Sequence, residues 1–400
     1  MMRTVRPDDL THAETPLLQT PFHPRTAPLN RLNRWGPWAG YMTSLCHGDA
    51  DMEYTAIRNG VTVYDLCPMV KYAIRGPDAA DYLNRLTIRS AAKLAVGGVH
   101  YTAWCDDAGK LLDDGTLFRH AADHFMICCQ ERHLNWLLDS AAGFDVSVEE
   151  ITESLAALSL QGPCSAEVLK SAGFDVSALK PFRIAEFAFG NSTLTISRTG
   201  FTGDLGYELW LDPAQALALW DRLFAAGAPW NIRPIGTDAL NLARIEAGFI
   251  ITNMDFIPAD QALREDRPRS PLEMGLAWMI DWDRGHFTGR RALLAEQARG
   301  SDWALVGLEV PGNISAEGSL LYHNRKTEAG FITAAAWSPS VKKSIALAQV
   351  PARHRNGHNL WVEIYALREL QYVKLMLQVA VVERPFFNPP RKRATPPGRY

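Results

Sequence analysis

One eight-residue pattern occurs twice in this chain and fixes the local architecture each time. Ala73-Ile74-Arg75-Gly76-Pro77-Asp78-Ala79-Ala80 is echoed by Ser159-Leu160-Gln161-Gly162-Pro163-Cys164-Ser165-Ala166. In both, a strand-like run stops at glycine, proline opens the first turn of a helix, and an amphipathic helix follows. The two copies read as halves of a duplicated strand–helix module. Around the first copy, Val99 to Cys105, Thr116 to Arg119 and His124 to Cys129 read as hairpin strands. Strands grouped in this way predict an α+β region, not a regular strand–helix alternation. No Gly-x-Gly-x-x-Gly follows a strand, which argues against a flavin or nicotinamide domain.

The rest of the chain divides by pattern. Residues 1–33 are polar and proline-bearing and read as an arm that packs only in places. Asp51 to Asn59, Pro213 to Ala226 and Thr237 to Gly248 read as helices; Gly60 to Leu66, Asn191 to Ser197 and Tyr207 to Leu211 read as strands. A helix over residues 290–300 stops at a glycine cap. Beyond it, Ala304 to Glu309, Phe331 to Trp337, Ile345 to Gln349, Leu360 to Ile364 and Val373 to Val381 have the spacing of a small barrel. This gives a main region over 34–290, a barrel domain over 291–385, and an extended tail over 386–400. With 47% hydrophobic residues, 400 residues suffice for a sizeable core. A net charge of −3 gives no electrostatic reason to expect nucleic acid or an anionic membrane. Neither a bilayer-spanning apolar run nor a secretory signal is visible. The six cysteines have no Cys-x-x-Cys spacing and read as reduced thiols of a cytoplasmic protein; the eleven histidines lack the pairing of a metal site.

Two acidic positions carry chemical interest. Leu111-Leu112-Asp113-Asp114 runs into Gly115, and a strand that continues through Thr116 turns the adjacent carboxylates to opposite faces, one in and one out. An inward carboxylate needs a partner, whereas two solvated acids at a strand edge would need none. Glu208 lies among apolar neighbours on the strand expected over Tyr207 to Leu211, either as a solvent-facing residue or as a bidentate acceptor, flanked by Phe201 and Tyr207. Trp35, Trp38 and Tyr41 crowd more aromatic surface into one stretch than a loop requires; they cover a core edge or line a channel.

An ordered series of segments resembles the glycine-cleavage T-protein (aminomethyltransferase) family. It comprises Tyr101, then Asp106 through Asp114, Leu160-Gln161-Gly162-Pro163, Phe201-Thr202-Gly203-Asp204-x-Gly206-Tyr207-Glu208, Arg244-Ile245-Glu246-Ala247-Gly248, Pro271-Leu272-Glu273, and Ser338-Pro339-Ser340-Val341-Lys342-Lys343. The resemblance implies a three-domain cloverleaf with a C-terminal β-barrel and a central folate channel. It further implies tetrahydrofolate as cofactor, with Asp114 beside the reactive folate nitrogens and Glu208 holding the pterin. Tyr207, Phe201, Met69 and Arg244 are expected along the folate; Trp35, Trp38 and Tyr41 near the donor; Tyr101 and His100 beside the acid.

The departures from that family are informative. Tyr64-Asp65-Leu66-Cys67-Pro68-Met69 has proline where the family has histidine, and Ala239-Leu240-Asn241 replaces Ala-Arg-Asp, removing a cation. Extra residues from Phe256 to Arg269 follow Ile251-Thr252-Asn253-Met254-Asp255 and are expected to reshape the donor pocket. The loss of that arginine resembles the demethylase branches, and the resemblance implies methyl transfer from a small O-, N- or S-methyl donor to tetrahydrofolate, by a monomer or homodimer. Tyr41, His100, Tyr101 and Tyr207 all remain candidates for the acid that an ether donor needs. Two alternatives are the glycine-cleavage reaction itself and a non-catalytic folate-binding scaffold.

Overall fold

The computed structural model describes residues 16–397; residues 1–15 of the expected arm and 398–400 of the expected tail lie outside the described residues. Both copies of the repeated pattern form the expected strand and helix: Val70–Arg75 with Ala79–Leu86, and Ala156–Gln161 with Ser165–Ser171. The glycines explain why the pattern recurs. Gly76 has φ +140° and Gly162 has φ +119°. A Cβ would lie 2.3 Å from the Asp145 carbonyl at the first and 2.5 Å from the Gly60 carbonyl at the second. Only glycine meets both demands.

Each module strand pairs antiparallel with both of its neighbours. The first sheet has the order Gly98–Cys105, Leu111–Arg119, His124–Cys129, Val70–Arg75, Ser147–Glu150. The second runs Ile184–Phe189, Ser192–Ser197, Gly206–Leu211, Ala156–Gln161, Thr62–Asp65, and a short parallel strand Arg233–Pro234. The modules exchange strands. Thr62–Asp65 immediately precedes the first module strand yet pairs with the second, while Ser147–Glu150 precedes the second and pairs with the first. Neither sheet is therefore built from one continuous stretch of chain.

The two sheets meet through a shared apolar cluster. Val99, Phe118, Met126 and Cys128 come from one, and Tyr64, Ala157 and Trp210 from the other. Helices Ala50–Asn59 and Thr237–Glu246 contribute Tyr54, Ile57, Ala239 and Ala243 to it. Phe118 meets Trp210 edge-on at 5.3 Å between ring centroids. The opposite faces bury separate cores, one against helix Ala79–Leu86 and the other against helices Ser165–Ser171 and Ala216–Gly227.

The C-terminal domain is a seven-stranded barrel-like sheet. Four of the expected strands form, the one expected at Phe331 to Trp337 extending over Thr327–Ser338, and Leu320–His323 adds a fifth; the single strand expected over Val373 to Val381 is instead two, Gln371–Gln378 and Ala380–Val382, at opposite edges of the sheet. Ser338 fastens it to the first region: its Oγ donates to buried Glu246, which also accepts Tyr54 OH at 2.6 Å and Arg58 Nη2 at 2.6 Å. The tail is not simply extended. It forms a 3-10 turn at Pro390–Lys392, and Arg391 pairs with buried Asp204 at 2.6 Å. Among the described residues, no helix is long and apolar enough to cross a membrane.

Candidate active site

Strand alternation separates the acidic pair as expected, but protein covers both faces, so Asp113 does not escape to water. Asp113 is fully buried. It accepts the backbone N–H groups of Asp114 at 2.8 Å and Glu131 at 3.1 Å, contacts His133 Nε2 at 3.1 Å, and receives the Thr252 hydroxyl. Asp113 is thus a structural hub.

Asp114 lies on the other face, opposite Ala103 and near Tyr101 on the adjoining strand. Tyr101 donates to its Oδ2 at 2.6 Å and Thr252 to its Oδ1 at 3.2 Å. Burial, reinforced by the Asp113 carboxylate, pushes the Asp114 pKa up to about 7. Burial and the nearby Asp114 carboxylate hold the Tyr101 phenol well above its ordinary range. Tyr101 is therefore a proton-bearing donor to Asp114, and Asp114 is poised to bind or release a proton near neutral pH.

Glu208 lies on Gly206–Leu211, opposite Ser159 and Ser197, and is largely buried. Thr199 Oγ1 donates to its Oε2 at 2.5 Å. Burial raises its pKa to about 7, against the pull of the Thr199 and Ser197 hydroxyls. Its charge is felt by Cys128 on the facing sheet. Cys128 is paired with Thr116, and Thr116 with Tyr101, so one continuous strip of sheet runs between the neighbourhoods of Glu208 and Asp114. Apolar groups line the same region: Trp38, Met69, Leu240 and Leu242 pack against the shared cluster, and Trp38 stacks on Tyr64 at 6.3 Å. A buried carboxylate among apolar and aromatic walls suits a flat heterocycle with paired N–H donors.

Other expected residues lie elsewhere. His100 neighbours Tyr101 on an extended strand and so projects from the opposite face, beside Leu117; burial takes its pKa down to about 3. Tyr207 likewise faces the core behind Glu208. Trp35 turns away from Trp38 along the Arg34–Trp38 strand and lies against His23 at a tilted 5.3 Å between ring centroids. Tyr41 is buried opposite Trp38, its pKa raised to about 12 by burial. Phe201 stacks on Phe249 at 5.5 Å. Arg244 is fully buried, with its guanidinium bonded to Asn241 at 2.7 Å, the Phe249 carbonyl at 3.0 Å and Asp255 at 2.5 Å. That engagement makes it a brace for the loop carrying Thr252.

The structure also adds residues that the sequence did not single out. Trp278 is 65% exposed yet stacks on Tyr101 at 6.5 Å, and the Arg89 guanidinium lies 5.6 Å from the same indole. Arg384 returns from the C-terminal segment to face Tyr101 and Asp255. The insertion brackets the start of the acidic strand: Ala259 N–H donates to Leu111 O, and Leu111 N–H donates to Arg269 O, both at 2.8 Å. Its arginines do not converge, since Arg264 pairs with Asp266 in solvent and Arg269 is buried over Trp303.

The sequence matches the family profile described as the GCVT N-terminal domain over residues 25–284, and the glycine cleavage T-protein C-terminal barrel domain over residues 304–388. The aminomethyltransferase of Lysinibacillus sphaericus is 30% identical over 345 residues, spanning 84% of this chain and 89% of that protein. The trimethylamine-oxide aldolase of Ruegeria pomeroyi is 33% identical over 352 residues, spanning 84% of this chain but 43% of that protein. The solved structure of glycine cleavage system aminomethyltransferase T from Bartonella henselae shares the fold, with a TM-score of 0.81 at 24% identity over 93% of this chain and 98% of that one.

Proposed function

This chain belongs to the glycine-cleavage T-protein family, and from that premise we propose that it moves a methyl group from a small O-, N- or S-methyl donor to tetrahydrofolate. The observation that carries this reading is the pair of carboxylates, Asp114 and Glu208, both held near neutral pKa and joined by one strip of sheet through Tyr101, Thr116 and Cys128, with Leu240 packed against the apolar cluster that contains Cys128. Tetrahydrofolate, when bound, supplies the nitrogen that accepts the one-carbon unit. Glu208 would hold the pterin edge through charge-assisted hydrogen bonds, and Trp38, Met69, Leu240 and Leu242 would exclude water.

Asp114 holds or takes a proton at its carboxylate. Its pKa near 7 balances both states at neutral pH, which suits acid–base work. For an ether donor, Tyr101 is the candidate acid favoured by position, because its hydroxyl is bonded to Asp114. An onium donor would need no acid and would rest against Trp38 and Tyr64.

The glycine-cleavage reaction is the second reading, favoured by the aminomethyltransferase relatives. Leu240 weighs against it, since an apolar side chain stands where the aminomethyltransferase pattern has a cation. Incubation with tetrahydrofolate and separate methyl donors, with folate products read by mass, tests the proposal; the expected product is 5-methyltetrahydrofolate. Formation of only methylenetetrahydrofolate, and only with a lipoylated carrier, would favour the second reading.

A further inference from the structure

We propose that Thr252 is a positioning residue whose single hydroxyl proton is shared between Asp113 and Asp114 and thereby sets how readily Asp114 ionises. The inference deepens the proposed reaction by resting on Asp114 as its acid–base group, but its direct test requires neither folate nor donor.

The geometry places one donor between two acceptors. Thr252 Oγ1 reaches Asp113 Oδ1 and also lies 3.2 Å from Asp114 Oδ1. A hydroxyl has one proton to give. Asp113 has alternative donors from two backbone N–H groups and contacts His133, so it keeps its support if the hydroxyl turns away. Among the described residues, Asp114 has only Tyr101 as its other hydrogen-bonded side chain. Rotation of the Thr252 hydroxyl toward Asp114 therefore favours its ionised form, and rotation back favours its protonated form.

The loop that carries Thr252 is fixed independently. Asp255 accepts Arg244 Nη1 at 2.5 Å, Ile251 N–H at 2.9 Å and Thr333 Oγ1 at 2.5 Å, while Asn253 Nδ2 donates to Glu131 at 3.1 Å. Thr252 is itself buried. The charged and titratable groups around the pair are Tyr101 on one adjoining strand and Cys129 on the other, Glu131 and His133 behind Asp113, Asp255 on the loop, and Arg384 facing Tyr101 and Asp255. None of them supplies the direct hydroxyl bridge.

The test is a carbon-13 carboxyl NMR titration of the whole folded protein, with the Asp114 resonance assigned by its loss in Asp114→Asn. Thr252→Val should raise the Asp114 midpoint by about one pH unit, a roughly tenfold change in ionisation constant. Thr252→Ser, which retains the hydroxyl, should restore the wild-type midpoint. In the active enzyme the limb of the pH–rate profile assigned to Asp114 should move with it. An unchanged midpoint in Thr252→Val, or an equal shift in Thr252→Ser, would overturn the proposal. If Thr252→Val does not fold, Thr252→Ala takes its place; failure of both to fold would show a purely structural role and overturn it too. Loss of methyl transfer with the predicted midpoint changes intact would instead count against the reaction.

Discussion

Tyr101 donates its phenolic proton to Asp114 Oδ2 at 2.6 Å from the neighbouring strand, on the face of the sheet opposite to buried Asp113. The two adjacent acids consequently do different work. Asp114→Asn should leave folding and folate binding largely intact and lower turnover about a hundredfold or more, because the ionisable group acts during the reaction. Steady-state kinetics alongside a folate titration measure the two effects separately.

Asp113→Ala should act on stability. It removes the acceptor used by Glu131 N–H, Asp114 N–H and the Thr252 hydroxyl, and the carboxylate beside His133. A loss of roughly 3–5 kcal/mol in denaturant unfolding is expected, the scale found when buried polar networks lose a charged member. A loss below 1 kcal/mol would remove Asp113 from its role as hub.

Both site carboxylates make stability depend on pH in the same direction. Their folded pKa values are about 7, above the ordinary carboxylate range near 4. Below that range both states are protonated and the groups are neutral in the balance. As pH rises toward 7, unfolded chains release these protons first, so stability falls, and the loss levels off above 7. Asp114→Asn and Glu208→Gln should each reduce this fall, with an effect on the order of 2–4 kcal/mol between pH 4 and pH 8. Equilibrium unfolding at several pH values, compared with wild type, gives the slope directly.

Glu208→Ala should weaken tetrahydrofolate binding by roughly 2–4 kcal/mol by leaving pterin donors without a charged acceptor. Because the bound pterin would favour ionised Glu208, folate binding should release protons below pH 7. Calorimetry in buffers of different ionisation enthalpy measures that release. Wild-type affinity in Glu208→Ala would place the pterin elsewhere.

The repeated Gly-Pro pattern and the acidic motifs were legible because they depend on local backbone demands and residue chemistry. Gly76 and Gly162 sit where any Cβ would strike a carbonyl. Strand exchange between the modules was not legible, because it is set by pairings between distant segments, Thr62–Asp65 with Ala156–Gln161 and Val70–Arg75 with Ser147–Glu150. Motif membership also did not reveal which way a side chain points. Tyr207 and His100 adjoin Glu208 and Tyr101 in sequence, yet alternation turns each to the opposite face. Arg244 shows a related limit: its position in a motif did not show that Asn241, Phe249 and Asp255 occupy its guanidinium. Trp278 is a lone tryptophan in a short turn, and only the fold brings it over Tyr101.

One product analysis of the wild-type protein separates methyl transfer from glycine cleavage. Tetrahydrofolate is incubated with methoxyarenes, betaines, sulfonium compounds and methylamines in separate reactions, and in parallel with a lipoylated carrier bearing an aminomethyl group. The expected outcome is 5-methyltetrahydrofolate from at least one free donor and no carrier-dependent methylenetetrahydrofolate. Robust methylenetetrahydrofolate formation from the carrier, with no methyl transfer from any free donor, would contradict it.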